Sequence, residues 1–209
     1  MTTWVEEPRG GRDRGPRGLA RAWVEVLVRP KRFFRNGVAP GDQAPGLYFA
    51  VTVALLFVGT RFLFDPASVP SFGGRPVVSA ALTLLAAGLI AAPLTLHLTA
   101  ALQTIILMLT VDDRAGVSET VQVVAYATAP CVLAGLPIPE LRVLCALYGF
   151  VLLAVGMSVV HGASLPRAAL AVAIPGLFVF GYAFGGVFAL EVVTGLDLVN
   201  TEPPVGVQN

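Results

Sequence analysis

Apolar positions along this 209-residue chain fall into one short periodic stretch and five long runs, separated by segments rich in Pro, Gly and charge. In the short stretch, Leu19, Ala22, Trp23, Val26 and Leu27 recur at helical spacing, with Arg21, Glu25 and Arg29 off that face. It runs into Pro30 and a basic-aromatic patch, Lys31-Arg32-Phe33-Phe34-Arg35. The stretch is shorter than the roughly 18 apolar residues that a membrane crossing needs. The pattern predicts an amphipathic helix lying on a membrane surface, its apolar side in lipid and its cations among the headgroups. A turn-rich linker, NGVAPGDQAP (36–45), follows.

The five runs read as membrane-crossing helices. The first covers residues 47–64, with Arg61 near its end placed to snorkel. The second, 77–111, holds no formal charge. Its 35 residues would make a helix of roughly 52 Å against a hydrocarbon core of about 30 Å. Either one long helix projects past the bilayer or two short passes meet near Pro93. Since Pro93 is flanked by Ala92 and Leu94, which do not form turns, one long helix kinked there is the expected arrangement. The third starts after Ser118, a good N-cap, with Glu119 in its first turn, and runs to about Leu136 before Pro137 and Pro139. The fourth is 141–160. The fifth runs from Arg167, behind Pro166, to about Leu190. The expected organisation is a disordered tail (1–18), an amphipathic segment and linker (19–45), a transmembrane domain (46–190) and an acidic tail (191–209).

Composition agrees. Hydrophobic residues make up 56% and charged residues 13%, about half the charge usual in a soluble chain. Such a chain cannot cover a water-facing surface. Charge also orients it: nine of the 14 basic residues lie in residues 1–45. With that end cytoplasmic, Arg114 and Arg167 fall on the same side, leaving only Arg61, Arg75 and Arg142 opposite. This positive-inside bias places the N-terminus in and, after five spans, the C-terminus out, in the cell membrane. Residues 1–18 contain no apolar core of a signal peptide, so this end is not expected to be translocated by one. The basic balance is an orientation signal; no nucleic-acid partner is expected. Cys131 and Cys145 lie in separate apolar stretches and suggest buried thiols.

Few groups carry candidate chemistry. His97 is the ionisable residue deepest within a span, with Pro93 and Thr104 on the same helical face. It reads either as a ligand or proton-relay position, or as a histidine satisfied by a carbonyl that Pro93 frees. The second is the expected role. His161 at the end of the fourth helix suits a helix C-terminus. Ser158 stands three residues before it, yet without the setting of a nucleophile and base. Gly181 and Gly185 form a G-x-x-x-G pair, which predicts close helix packing or association with a second copy. No phosphate loop, dinucleotide fingerprint or zinc-protease motif occurs.

The runs VVAYATAP (123–130) and ALYGFVLLAVGMSVVHGASLPRAALAVAIP (146–175) resemble the prokaryotic branch of the Yip (Ypt-interacting protein) family of integral membrane proteins. Tyr126, Ala127, Pro130, Gly156, His161, Arg167 and Ala168 match its pattern of a Tyr-Ala-x-x-Pro helix, then a helix ending in Gly, a small polar stretch, His and an Arg-Ala pair. RPKRFF (29–34) resembles the family's Pro-x-x-Phe-Phe entry, and the likeness covers about residues 20–190. The resemblance implies a five-helix bundle with a cytosolic N-terminus. Eukaryotic members bind small GTPases of the Rab/Ypt type, but their acidic Asp-Leu-aromatic-Gly-Pro segment is absent here, so that activity is not carried over.

The expectation is therefore an all-α polytopic bundle, five transmembrane helices behind a cytosolic amphipathic helix. It would act as a non-enzymatic scaffold or partner-binding protein, with no cofactor or metal. Expected partners are anionic lipid headgroups and an unidentified protein. The alternative is a small transporter or channel subunit using the His97 face. Such proteins are built from duplicated halves, and no repeat occurs here.

Overall fold

A computed structural model describes residues 15–112 and 114–198, and every regular element in them is helical. Two helices precede the bundle: α1 (Pro16–Val28) and α2 (Pro30–Gly37), each with Pro in its first turn, where the missing N–H costs nothing. The described part of the expected tail, from Pro16, is already helix; its first 14 residues lie outside the described residues.

Helix α3 (Ala44–Phe64) leads to α4 (Pro76–Ala86), a π-helical turn (Ala87–Ala91) and α5 (Ala92–Thr110). These last three form one helix of 35 residues, Pro76–Thr110, as the uncharged run predicted. The wide turn sits directly ahead of Pro93. A proline lacks the donor for the carbonyl four residues back and its ring crowds that carbonyl. Widening the turn accommodates both without ending the helix.

The third run behaves differently. Helix α6 (Val117–Ala127) spans 11 residues, then gives way to a 3-10 turn, Ala129–Val132. The helix was expected to reach Leu136; instead Pro130 removes a donor early, and the Thr128 hydroxyl donates to the Ala125 carbonyl at 2.7 Å. Every residue from Thr120 to Cys131 is buried, including Gln122.

Helix α7 (Pro139–His161) is the central helix. In its most apolar stretch 44% of residues are buried within the protein, against 11% in the most apolar stretch of Pro76–Thr110, where most side chains face outward. Gly162, at φ 66°, stops α7. The fifth run is not one helix. It is α8 (Leu165–Ala171), α9 (Ala173–Gly176), a π-helical turn (Leu177–Ala183) and α10 (Gly186–Thr194). The chain bends by 54° between Leu165–Ala171 and Ala173–Ala183. It breaks again at Gly185, whose φ of 72° puts it in the left-handed region. The acidic tail accordingly starts after Thr194; beyond Leu198 it lies outside the described residues.

By length and composition, three helices can cross a membrane: Ala44–Phe64, Pro76–Thr110 and Pro139–His161. The bent pair makes a fourth if it counts as one span. Leu82, Leu85, Leu89, Ile90, Leu94, Leu98, Ile105 and Leu109 all stand exposed along the long helix. An apolar surface of that extent belongs against lipid.

Candidate functional site: an aromatic junction on α6 and α7

The residues that the sequence assigned to a membrane surface and those that carry the family resemblance form one cluster. Tyr126 on α6 is fully buried. Phe33 of α2 meets its ring edge-on, with centroids 4.9 Å apart and planes at 84°. Phe49 of α3 meets it from another side at 5.2 Å and 68°. Phe34 packs edge-on against Phe33 at 5.8 Å and reaches α7 at Gly156. Such edge-to-face contacts contribute about 0.5–1.5 kcal/mol each beyond area burial.

Gly156 makes this junction fit. A methyl group there would lie 2.6 Å from Val123 Cγ1 and 3.0 Å from two ring atoms of Phe34. Only a hydrogen leaves room for α2, α6 and α7 to meet.

Hydrogen bonds fix the docked segment. Trp23 Nε1–H donates to the Ala129 carbonyl at 2.8 Å, in the broken stretch after α6. The Tyr148 hydroxyl of α7 donates to the Leu27 carbonyl, in the last turn of α1, where carbonyls lack intrahelical partners. The linker is clamped too. The Ala39 N–H donates to Gln122 Oε1 at 3.2 Å, and Gln122 Nε2 donates to the Ala39 carbonyl at 2.7 Å.

These contacts correct the reading of 19–35 as a stripe inserted in lipid. Val26, Phe33 and Phe34 are buried inside the protein, and Trp23 and Leu27 are half-buried against it. Arg29, Lys31, Arg32 and Arg35 are exposed, as the periodicity required. Periodicity identifies an apolar face; it does not say whether lipid or protein covers it.

The other motif residues serve packing. Pro130 is buried in the 3-10 turn, and Ala168 is buried in α8 while Arg167 beside it is exposed. His161 is buried, and its Nε2 lies 3.3 Å from the Thr120 hydroxyl of α6. Its role is a tie between α7 and α6 rather than a solvated cap. Ser158 Oγ donates to the Ala163 carbonyl at 2.8 Å, so Ser158 and His161 are committed to different partners.

His97 is exposed, and its Nδ1–H donates to the Pro93 carbonyl at 2.8 Å. This is the structural arrangement expected for it. Thr104, predicted on the same face, is buried and bonds to the Ala100 carbonyl at 2.7 Å. Gln103, which the sequence reading passed over, is fully buried and donates to the Ala171 carbonyl of α8 at 3.3 Å. A glutamine in an uncharged run was the available signal.

Gly181 and Gly185 do not form a helix-packing pair, because the chain turns between them and α10. A methyl group at Gly181 would meet Leu177 and Val187 of its own region; at Gly185 it would meet nothing closer than 3.7 Å. The close approaches lie elsewhere. The Phe180 ring fills the space over Gly149, and the Phe150 ring fills that over Gly176, a reciprocal pair joining α7 to the fifth run. Cys131 and Cys145 are free and buried.

Outward apolar helices and an interior tied by polar side chains to backbone define a polytopic α-helical membrane protein. The chain belongs to the Yip1 family: the model of the Yip1 domain matches residues 24–187, from within α1 to the start of α10. No curated protein and no solved structure matches the chain.

Proposed function

We propose that this protein is a non-enzymatic, five-pass scaffold or partner-binding protein of the cell membrane, of the Yip type, with its N-terminus in the cytoplasm and its C-terminus outside. One observation carries the reading. Five buried or half-buried polar side chains, Trp23, Gln103, Gln122, Tyr148 and His161, each bond to another segment of the chain. They hold helices together instead of converging on a cavity.

Five passes are supported by how the third run lies along α3. Gly46, near the start of α3, faces Gln122 and Ala125, while Gly135 faces Phe57 and Thr60 near its end. Eleven to fourteen residues of α3 separate these contacts, about 17–21 Å of helix. The run is therefore read as a crossing made of helix, 3-10 turn and loop, hidden from lipid by its neighbours. Irregular backbone is tolerated at membrane depth where protein covers it. Orientation rests on the basic residues: nine in residues 1–45 with Arg114 and Arg167, against Arg61, Arg75 and Arg142.

A compartment-sensitive reporter fused after Asn209 tests the topology. An external signal is expected; a cytoplasmic one overturns the five-pass arrangement. For function, the protein reconstituted in sealed vesicles is expected to carry no solute flux above protein-free vesicles, and photo-crosslinking in cells to yield a reproducible protein adduct. A flux lost on His97→Asn, with folded protein retained, overturns the scaffold reading in favour of a transporter.

A further inference from the structure

We propose that the outer face of α2, with its joint to α1, is a binding surface for the acidic headgroups of the surrounding membrane, held rigidly by the bundle rather than inserted in lipid. The proposal rests on the membrane-protein reading above and on its cytoplasmic placement of the N-terminus.

The orientation of α2 is set by its docked side. Phe33, Phe34 and Gly37 are buried on one arc of the helix. At 100° per residue, Lys31, Arg35 and Arg32 occupy the opposite arc, and all three are exposed. Arg29, at the joint between the helices, is exposed as well. On α1 the outward stripe continues as Val28 and Val24; Arg21 and Arg17 lie beyond them, where α1 runs beside Thr52, Val53 and Leu56 of α3, deeper along the bundle than the α2 cations. Residues 29–35 contain four basic residues and no acidic one. The face therefore carries a charge that its own segment does not neutralise.

Its level in the bundle suits headgroups. Phe34 contacts Gly156, five residues from the end of α7 at His161, about 7.5 Å along the helix. Arg and Lys side chains of that reach can lay their stems along the apolar flank and place their charges in the headgroup layer. A shallow depression there has Arg29, Lys31 and Arg32 on its rim and Val155 of α7 in its wall. Val24 and Val28, 50% and 68% exposed, add apolar contact beside the cations. Positive charge with flanking apolar side chains, at the edge of a membrane-crossing bundle, complements an anionic leaflet. An acidic protein segment would satisfy the charge but gives the exposed valines no apolar layer to enter.

Docking dictates the test. A peptide of this segment would expose Phe33 and Phe34 and report their insertion, so the full chain is required. Purified in neutral detergent, the protein is offered phosphatidylglycerol or phosphatidylcholine, and bound lipids are counted by native mass spectrometry. Phosphatidylglycerol is expected to bind preferentially, and less so as salt rises. Near an anionic leaflet each cation is worth roughly fivefold in binding. The variant Arg29→Gln/Lys31→Gln/Arg32→Gln/Arg35→Gln is therefore expected to bind phosphatidylglycerol at least about tenfold more weakly after screening. Replacing the three arginines by lysine is expected to keep the preference, which separates lost charge from lost fold. Arg61→Gln/Arg75→Gln, at the far end, is expected to change nothing. Equal binding of the two lipids by the wild type overturns the proposal, as does undiminished binding by the folded glutamine variant. If the chain fails to co-sediment with membranes after alkaline extraction, the membrane reading itself fails, a result distinct from either.

Discussion

Gly156→Ala is the sharpest test of the junction between α2, α6 and α7. The added methyl group would sit 2.6 Å from Val123 Cγ1 and 3.0 Å from two Phe34 ring atoms, where carbon atoms pack at about 3.5–4.0 Å. Roughly 1 Å of movement is needed on one side and about half that on the other. Neither neighbour moves alone. Val123 is fully buried on α6, and Phe34 is held by Phe33, which lies against Tyr126. Overpacking of this kind costs about 1–3 kcal/mol, and the least obstructed relief is for α2 to move away as a unit. Two readouts follow on the full chain in detergent: a lower thermal midpoint and faster trypsin cleavage at Lys31, Arg32 and Arg35. Phe34→Leu combined with Gly156→Ala should recover part of the loss, because the smaller side chain leaves room for the methyl group. Gly59→Ala is the control. Nothing lies within 4 Å of that position inside α3, so it should be neutral or stabilise by up to about 1 kcal/mol. An unchanged midpoint and trypsin pattern for Gly156→Ala would refute the argument that this glycine sets the docking distance.

Gly185→Leu should destabilise through its left-handed backbone, by about 1–2 kcal/mol, and Gly185→Asn by less; if both cost the same in thermal unfolding, packing rather than backbone conformation is responsible. Gln122→Leu leaves the Ala39 N–H and carbonyl without their partner, a cost of about 1–3 kcal/mol, and limited proteolysis should show the linker at 36–43 cut sooner than in the wild type. His97→Asn should cost on the order of 1 kcal/mol or less, since His97 is exposed and bonds only to its own helix; a large loss of folded protein would contradict that placement.

The sequence made the elements legible where composition and local turn chemistry decide them. An uncharged run of 35 residues left one long helix or two short passes, the turn-poor neighbours of Pro93 favoured the single helix, and Pro76–Thr110 is one. The runs containing Pro130 and Gly185 were misread because apolar content sets where a segment resides, not how its backbone is bonded. Pro130 ends α6 nine residues before the position at which Pro137 was expected to stop it. That early end is affordable because Thr120 to Cys131 are enclosed by protein. Gly181 and Gly185 carry a spacing that means packing only if both lie on one helix, and the left-handed residue at 185 breaks that condition. The aromatic junction was visible only in halves. Phe33-Phe34 and the Tyr126 to Gly156 motif each stood out, but about 90 residues separate them, and nothing local links a surface stripe to a buried tyrosine.

Why the stripe docks on protein follows from the solvent. Next to a bilayer, moving Phe33 or Phe34 from lipid to a protein interior gains little from the hydrophobic effect, because both surroundings are apolar. The choice then falls to packing and hydrogen bonding. The bundle offers an edge-on aromatic site at Tyr126, a glycine that admits the Phe34 ring, and bonds from Tyr148 to Leu27 and from Trp23 to Ala129. Lipid tails offer none of these. Once the apolar face is satisfied within the protein, the remaining freedom of the segment is lost. Arg29, Lys31, Arg32 and Arg35 are then presented at one level and on one side, instead of sampling the interface as the cations of a loose amphipathic helix would. A fixed cationic edge is what distinguishes a surface that selects headgroup charge from one that merely adheres to membranes. It is also why removing those charges and disturbing Gly156 should separate in experiment: the first alters lipid preference with the fold intact, and the second loosens the platform that holds the charges in place.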